Sequence, residues 1–182
     1  EGGGDSATLT LTNHGDVSAT ATANALASTR ARASADASGI YQYADGDGNN
    51  LADIYNDGSI TASAIAEATG SRAVAYADTT GIEQEGYGGV AQLTITNHGD
   101  IAANATATAY GTEFRAHGSA EASGAYQIAE TDNATIDLVN SSTISAIANI
   151  NAYGQTSATA DGYAFGVIQH ADADIADLSV VN

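Results

Sequence analysis

Small apolar and polar residues alternate along this chain with a period of two, and the alternation itself recurs. Val17, Ala19, Ala21, Ala23 and Ala25 return in the same phase as Ile60, Ala62, Ala64, Ala66 and Ala68, as Ile101, Ala103, Ala105, Ala107 and Ala109, and as Ile144, Ala146, Ala148, Ile150 and Ala152. A period of two puts alternate side chains on opposite faces of an extended strand, whereas a helical face needs a period of 3.6. Alanine favours helix intrinsically, but alanine at every second position cannot form one helical face, and Gly, Thr, Ser and Asn fill the places between. A second ladder follows each first one: Ala31, Ala33, Ala35 and Ala37; Ala73, Ala75, Ala77 and Thr79; Ala116, Gly118, Ala120 and Ala122; Ala158, Ala160, Gly162 and Ala164. Gly70, Gly111 and Gly154 fall between the two ladders, where the chain has to reverse.

Two polar markers keep step with the ladders. Asn13, Asn56, Asn97, Asn140 and Asn182 recur every 41 to 43 residues, each preceded by an alternating pair such as Leu9 and Leu11 or Leu93 and Ile95. Gly39-Ile40-Tyr41-Gln42 returns as Gly81-Ile82-Glu83-Gln84, Gly124-Ala125-Tyr126-Gln127 and Gly166-Val167-Ile168-Gln169. A fixed period of this size signals units that cannot bury an apolar face alone and are stabilised by stacked neighbours. The predicted fold is all-β: a right-handed-type β-solenoid, or flattened β-helix, of about four rungs with an alanine-ladder core. The repeats run approximately 7–49, 50–89, 90–132 and 133–174, with a partial repeat at 175–182. Each rung is expected to lay two strands of about 11 residues, roughly 36 Å long, face to face across a thin alanine seam. The wider end would hold the aliphatic pairs, the Asn and the Gln. Rungs stacked at about 4.8 Å would align Asn13, Asn56, Asn97 and Asn140 in one ladder and Gln42, Gln84, Gln127 and Gln169 in another, each amide bonding along the axis. The Asn also suits a left-handed turn at Asn13-His14-Gly15-Asp16. Residues 1–10 match residues 85–94, and the last residue is the repeat marker, so residues 1–182 read as one segment of a longer array, with any secretion signal outside it.

Charge narrows the partners. The net charge is −18, with four Arg, no Lys and 22 carboxylates. Such a chain repels phosphate backbones and anionic lipid, which argues against nucleic acid and acidic membranes. The same charge strains the compact state, a strain relieved by divalent cations or high ionic strength. Without cysteine there are no disulfides or thiolate metal sites, and without a run of about 18 apolar residues no membrane-spanning helix is expected.

The acidic loop after each Gln is the main candidate for chemistry. Asp45, Asp47 and Asn49 have the alternating oxygen-ligand spacing of calcium loops, and Glu130, Asp132, Asp172 and Asp174 fall in the equivalent loops of later repeats. Stacked carboxylates repel unless a cation lies between them, so Ca2+ is the ion such loops would take, although no cofactor is the leading expectation. The plainer reading is a solvated acidic loop, since no Glu closes a twelve-residue calcium loop here. His14 and His98 occupy equivalent turns two repeats apart, roughly 10 Å, too far to share one metal. No nucleophile elbow, phosphate loop or zinc signature is present. Arg30, Arg32, Arg72 and Arg115 read as scattered and mostly out of phase, unlike the basic residues of a solenoid enzyme cleft, so no catalysis is expected. The threonine arrays around Thr10 and Thr20 fail in the second repeat, against an ice-binding face. Outward Tyr41, Tyr43, Tyr55, Tyr87, Tyr126 and Tyr163 could stack on sugars or on a partner.

The segments Leu-Thr-Leu-Thr-Asn-His-Gly-Asp-Val at 9–17 and Leu-Thr-Ile-Thr-Asn-His-Gly-Asp-Ile at 93–101, with the later Gly-Ile-x-Gln, resemble the T-N-x-G-x-I rungs of bacterial autotransporter-type β-solenoid passengers and large surface adhesins. The resemblance implies an extracellular or cell-surface location on a Gram-negative cell and a fibrous role in adhesion, aggregation or coat formation. The long alanine seams and the lack of a translocating barrel depart from that pattern. Two functions are therefore expected in order: a non-catalytic structural segment of an extracellular fibre that associates end to end or laterally, and a calcium-stabilised adhesin repeat that binds glycan or another cell surface.

Overall fold

The computed structural model describes residues 5–182; Glu1 to Gly4, part of the match to 85–94, lie outside the described residues. Seven strands follow one another: β1 (Thr8–Asn13), β2 (Val17–Leu26), β3 (Arg30–Asn56), β4 (Ile60–Asn97), β5 (Ile101–Asn140), β6 (Ile144–Gly154) and β7 (Ser157–Val181). They form one parallel sheet with the path β1-β3-β4-β5-β6, in which β2 also pairs with β4 and β7 with β5. No helix occurs among the described residues. The strands β3, β4 and β5 are long enough to turn corners without losing their ladders, so one strand serves two neighbours. Thus β4 pairs with β2 through 60–69 and with β3 through 72–97. Away from the corners, each strand residue lies beside its equivalent one repeat away, as in the register Asn13↔Asn56↔Asn97↔Asn140. This all-β parallel stacking is consistent with the solenoid that the periodicity predicts.

Differences in repeat length are absorbed only at corners. The register slips between Gly46 and Asn49, where the first repeat carries Asp47 and Gly48 against Gly89 alone. It slips again between Gly70 and Arg72, where Thr112, Glu113 and Phe114 stand against Ser71. Straight stretches tolerate no insertion because one extra residue would turn every later side chain to the wrong face.

The interior has three parts. The alanine seam packs Ala64, Ala66 and Ala68 of one side near Ala73, Ala75 and Ala77 of the other, as expected. Ile60, Ile82 and Ile95, from three successive stretches of β4, meet in an aliphatic hub with Ile54, Ile101 and Leu138. Beyond the hub, Ala52, Ala91, Leu93, Ala129 and Ile136 form a third cluster under the acidic corner. The expected pair of equal strands is therefore corrected. The second ladder does not stop at the wide end but runs on to the acidic corner, and two shorter stretches together cover its inner face. Glycine makes that possible at the hub: a Cβ on Gly81 would lie 2.4 Å from Ile101 Cγ2 and 2.5 Å from the Gly124 carbonyl oxygen. Gly39 and Gly124 stand in the same relation to Ile60 and Ile144.

The left-handed Asn turn is also corrected. Gly88, with φ 113°, is the one described residue with positive φ. The Asn turns hold themselves in another way. The side-chain amide of Asn97 donates to the carbonyl of Gly99 at 2.6 Å, and the same bond recurs from Asn56 to Gly58 at 2.7 Å. The side chain closes the corner, so the backbone needs no left-handed residue.

Candidate functional site

Amide ladders run the length of the stack. The Nδ2 of Asn13 donates to Oδ1 of Asn56, Asn56 to Asn97, and Asn97 to Asn140, each at 2.7 Å, and Asn140 donates on to Asn182. The glutamines run with the opposite polarity. Gln84 donates to Gln42 at 2.9 Å, Gln127 to Gln84 at 2.8 Å and Gln169 to Gln127 at 3.0 Å. Each glutamine amide is also held by backbone carbonyls across the interior; Gln84 lies 3.0 Å from Ala52 O and 3.1 Å from Thr94 O. Asn56, Asn97, Gln84 and Gln127 are fully buried. Burying an amide is costly unless it is paired. Here the cost is offset, and no fully buried side-chain nitrogen or oxygen among the described residues lacks a partner. These residues were legible in the sequence as ladders, and their chemistry is structural.

Asn50 was not singled out. It is buried at the longer corner of the first repeat, where its Oδ1 accepts from the Ala7 N–H at 3.1 Å and its Nδ2 donates to Gly46 O and Tyr87 O at 2.8 and 2.6 Å. Its register partner is Ala91, which in turn faces Ala134. The amide serves the backbone groups freed by the extra corner residue, and the only signal for it was that the acidic loop of the first repeat is longer.

The structure brings the expected calcium ligands together only in part. Asp45, Asp47 and Asn49 are exposed at the first corner, with Asp45 beside Tyr87 rather than a carboxylate. Glu130 and Asp172 are register partners in the next two repeats. Asp132 and Asp174 occupy the corner step between the pairs Thr131↔Ala173 and Asn133↔Ile175. Among the described residues no three His or carboxylate groups converge as a metal cage.

Other carboxylates do line up. Asp36, Asp78 and Glu121 form one column. Burial and the charges of Glu121 and Asp36 raise the Asp78 pKa. Nearby, burial, hydrogen bonding with Glu85 and the Glu85 charge push Glu83 up to about 7. Burial and the Glu85 and Glu83 charges push the Tyr41 phenol to about 12.

The reading of the arginines as out of phase is corrected. Arg30, Arg72 and Arg115 are register partners in one exposed column, and Arg32 is two residues along the same face. The Arg32 guanidinium lies 5.2 Å from the centre of the Tyr76 ring, and that of Arg72 lies 5.7 Å from Phe114. No carboxylate of a described residue pairs with any of the four; the recorded ion pairs are His14 with Asp57 and His117 with Asp161. The spacings of 42 and 43 residues equal the marker period and could have revealed this column.

Aromatic side chains also stack between repeats. Tyr55 sits edge-on between His14 and His98, at 5.8 and 5.6 Å. Tyr110 and Tyr153 stack at 5.0 Å with ring planes 6° apart, beside a surface groove of about 490 Å³. Among the described residues no helix is long and apolar enough to cross a membrane. No family model, curated relative or solved structure matches the chain.

Proposed function

We propose that the chain is a right-handed β-solenoid of about four rungs and that it serves as a non-catalytic structural segment of an extracellular, cell-surface fibre. The in-register amide ladders carry this reading, because they are buried, fully paired and directed along the stacking axis rather than toward a cleft. Right-handedness follows from the general preference of parallel β-crossovers. The inward side chains Leu178 and Val180 of β7 are 43% and 50% exposed, apolar surface that a further rung, from this chain or another, would cover. Unpaired strand edges recruit further strands. Electron microscopy of the purified chain tests this, with filaments expected; particles that stay compact and monodisperse at all concentrations would contradict it.

The stacked pair of Tyr110 and Tyr153, 46% and 55% exposed beside their groove, favours a second reading as an adhesin repeat. Flat aromatic pairs of this kind suit the apolar face of a sugar ring. Calcium would then join Glu130 to Asp172 and stiffen the acidic corner. Saturable glycan binding lost in Tyr110→Ala, and a calcium-dependent rise in melting temperature lost in Glu130→Gln, would support this reading; a scaffold alone shows neither.

A further inference from the structure

The face of each rung that carries the second ladder presents two columns of opposite charge. Arg30, Arg72 and Arg115 form one, and Asp36, Asp78 and Glu121 the other. In all three rungs the acid follows the arginine by six residues, and both are exposed. An even spacing puts them on the same side of the strand, about 20 Å apart, too far to pair within one chain. The fourth rung has Ser157 and Tyr163 at these positions, so it lacks both charges together. Each column is repulsive in the isolated chain: the guanidinium groups have no carboxylate partner among the described residues, and the carboxylates meet one another and the further carboxylate of Glu83.

We propose that this face pairs with the same face of a second copy of the chain, about a two-fold axis parallel to the stacking axis. Such an axis reverses strand direction and keeps rung levels. It therefore lays Arg30 against Asp36, Arg72 against Asp78 and Arg115 against Glu121, twice over. A two-fold contact has to be self-complementary, and the six-residue offset supplies that. The axis passes between the column of Arg32, Val74 and His117 and the column of Ser34, Tyr76 and Ser119. Val74 of one chain then meets Tyr76 of the other, one apolar level flanked along the axis by Arg32, His117 and Asp161. Arg32 over Tyr76 and Arg72 over Phe114 are already held in place by the rings.

Four rungs at about 4.8 Å and some eight residues at about 3.3 Å give roughly 500 Å² per partner. That is below the ~800 Å² of a standard interface, so the pair is weak for this segment and strengthens as rungs are added. The inference deepens the reading of the chain as self-associating, and it concerns lateral pairing only.

The test uses two variants of the full chain: R30E/R72E/R115E, with both columns acidic, and D36R/D78R/E121R, with both basic. All six positions are exposed, and far-UV circular dichroism confirms that the strands are kept. Sedimentation velocity is run at about 0.1 M salt, where a Debye length of about 10 Å screens the repulsion of the whole molecules. The native chain should show a dimer that dissociates in high salt. Each variant alone should dimerise roughly 100-fold more weakly, and an equimolar mixture should restore a 1:1 complex. No complex in the mixture, or a native dimer that survives in either variant, overturns the proposal. An effect of the arginine variant without one of the acidic-column variant also overturns it. Filaments formed without restored pairing would refute lateral pairing and leave the fibre reading intact.

Discussion

Asn97→Ala is the sharpest probe of what holds the rungs together. Asn97 donates to Asn140 at 2.7 Å and to the Gly99 carbonyl at 2.6 Å, and accepts from Asn56 at 2.7 Å. Removing its amide leaves one buried N–H of Asn56, one lone pair of Asn140 and the Gly99 carbonyl without this partner. Each orphaned group costs about 1–3 kcal/mol if it stays dry. Gly99 and Asn140 are discounted, because Gly99 is partly exposed and Asn140 still receives the Ser142 N–H at 3.4 Å. The expected loss is then about 3–5 kcal/mol. Asn13→Ala is the internal control: it leaves Asn56 Oδ1 without its donor, but Asn13 is only half-buried and accepts from no rung beneath it among the described residues, so its loss should cost about 1–2 kcal/mol. Urea unfolding measures both, with the slope checked for a change, since arrays of repeats do not always unfold in one step. Equal midpoints for the two variants would refute the claim that the buried amide ladder stabilises the stack.

Three further outcomes follow from the geometry. Gly81→Ala should destabilise by about 1–3 kcal/mol or more through overpacking, since its Cβ meets Ile101 and the Gly124 carbonyl, whereas Gly166→Ala, with nothing within 4 Å, should be near neutral in the same unfolding assay. Glu83 has a folded pKa raised to about 7 from 4.5, so the folded state binds the extra proton and this stabilisation is full below about 4.5 and lost as pH rises through about 7. Glu83→Gln should therefore melt higher than the native chain at pH 8, and the gap should close toward pH 5; a constant gap would refute the assignment. Ala105→Leu should overpack the seam between the two ladders and lower the unfolding midpoint, while Thr106→Leu, one residue along and outward, should change it little.

Most of the stack was legible because its signals are local and repeated. The period of two fixed which alanines point inward, and the phase of Asn and Gln fixed which amides meet. What escaped were features that need the third dimension. The corner at Gly81 reads as a marker, but only the approach of Ile101 explains why it must be glycine. The extension of the second ladder to the acidic corner was missed because the stretch after each Gln, with Glu85 and Gly86 in the second repeat, reads as an acidic loop. Asn50 was hidden because it serves one irregular corner and has no repeat. The arginine column was in the sequence throughout, but inward residues drew the alignment and the outward positions were not stacked. Asp45 failed to meet a carboxylate because Tyr87 takes its place in the column.

The most direct check of the stacking is a distance. The chain has no cysteine, so Thr12→Cys and Val181→Cys can carry spin labels at the two ends of the column Thr12↔Tyr55↔Thr96↔Val139↔Val181. Four steps of about 4.8 Å predict one narrow distance near 19 Å between the backbone positions, with the label arms extending it by their own length only. A broad distribution, or a separation far longer than the labels allow, would contradict the in-register parallel stack on which the fibre, the amide ladders and the paired charge columns all depend.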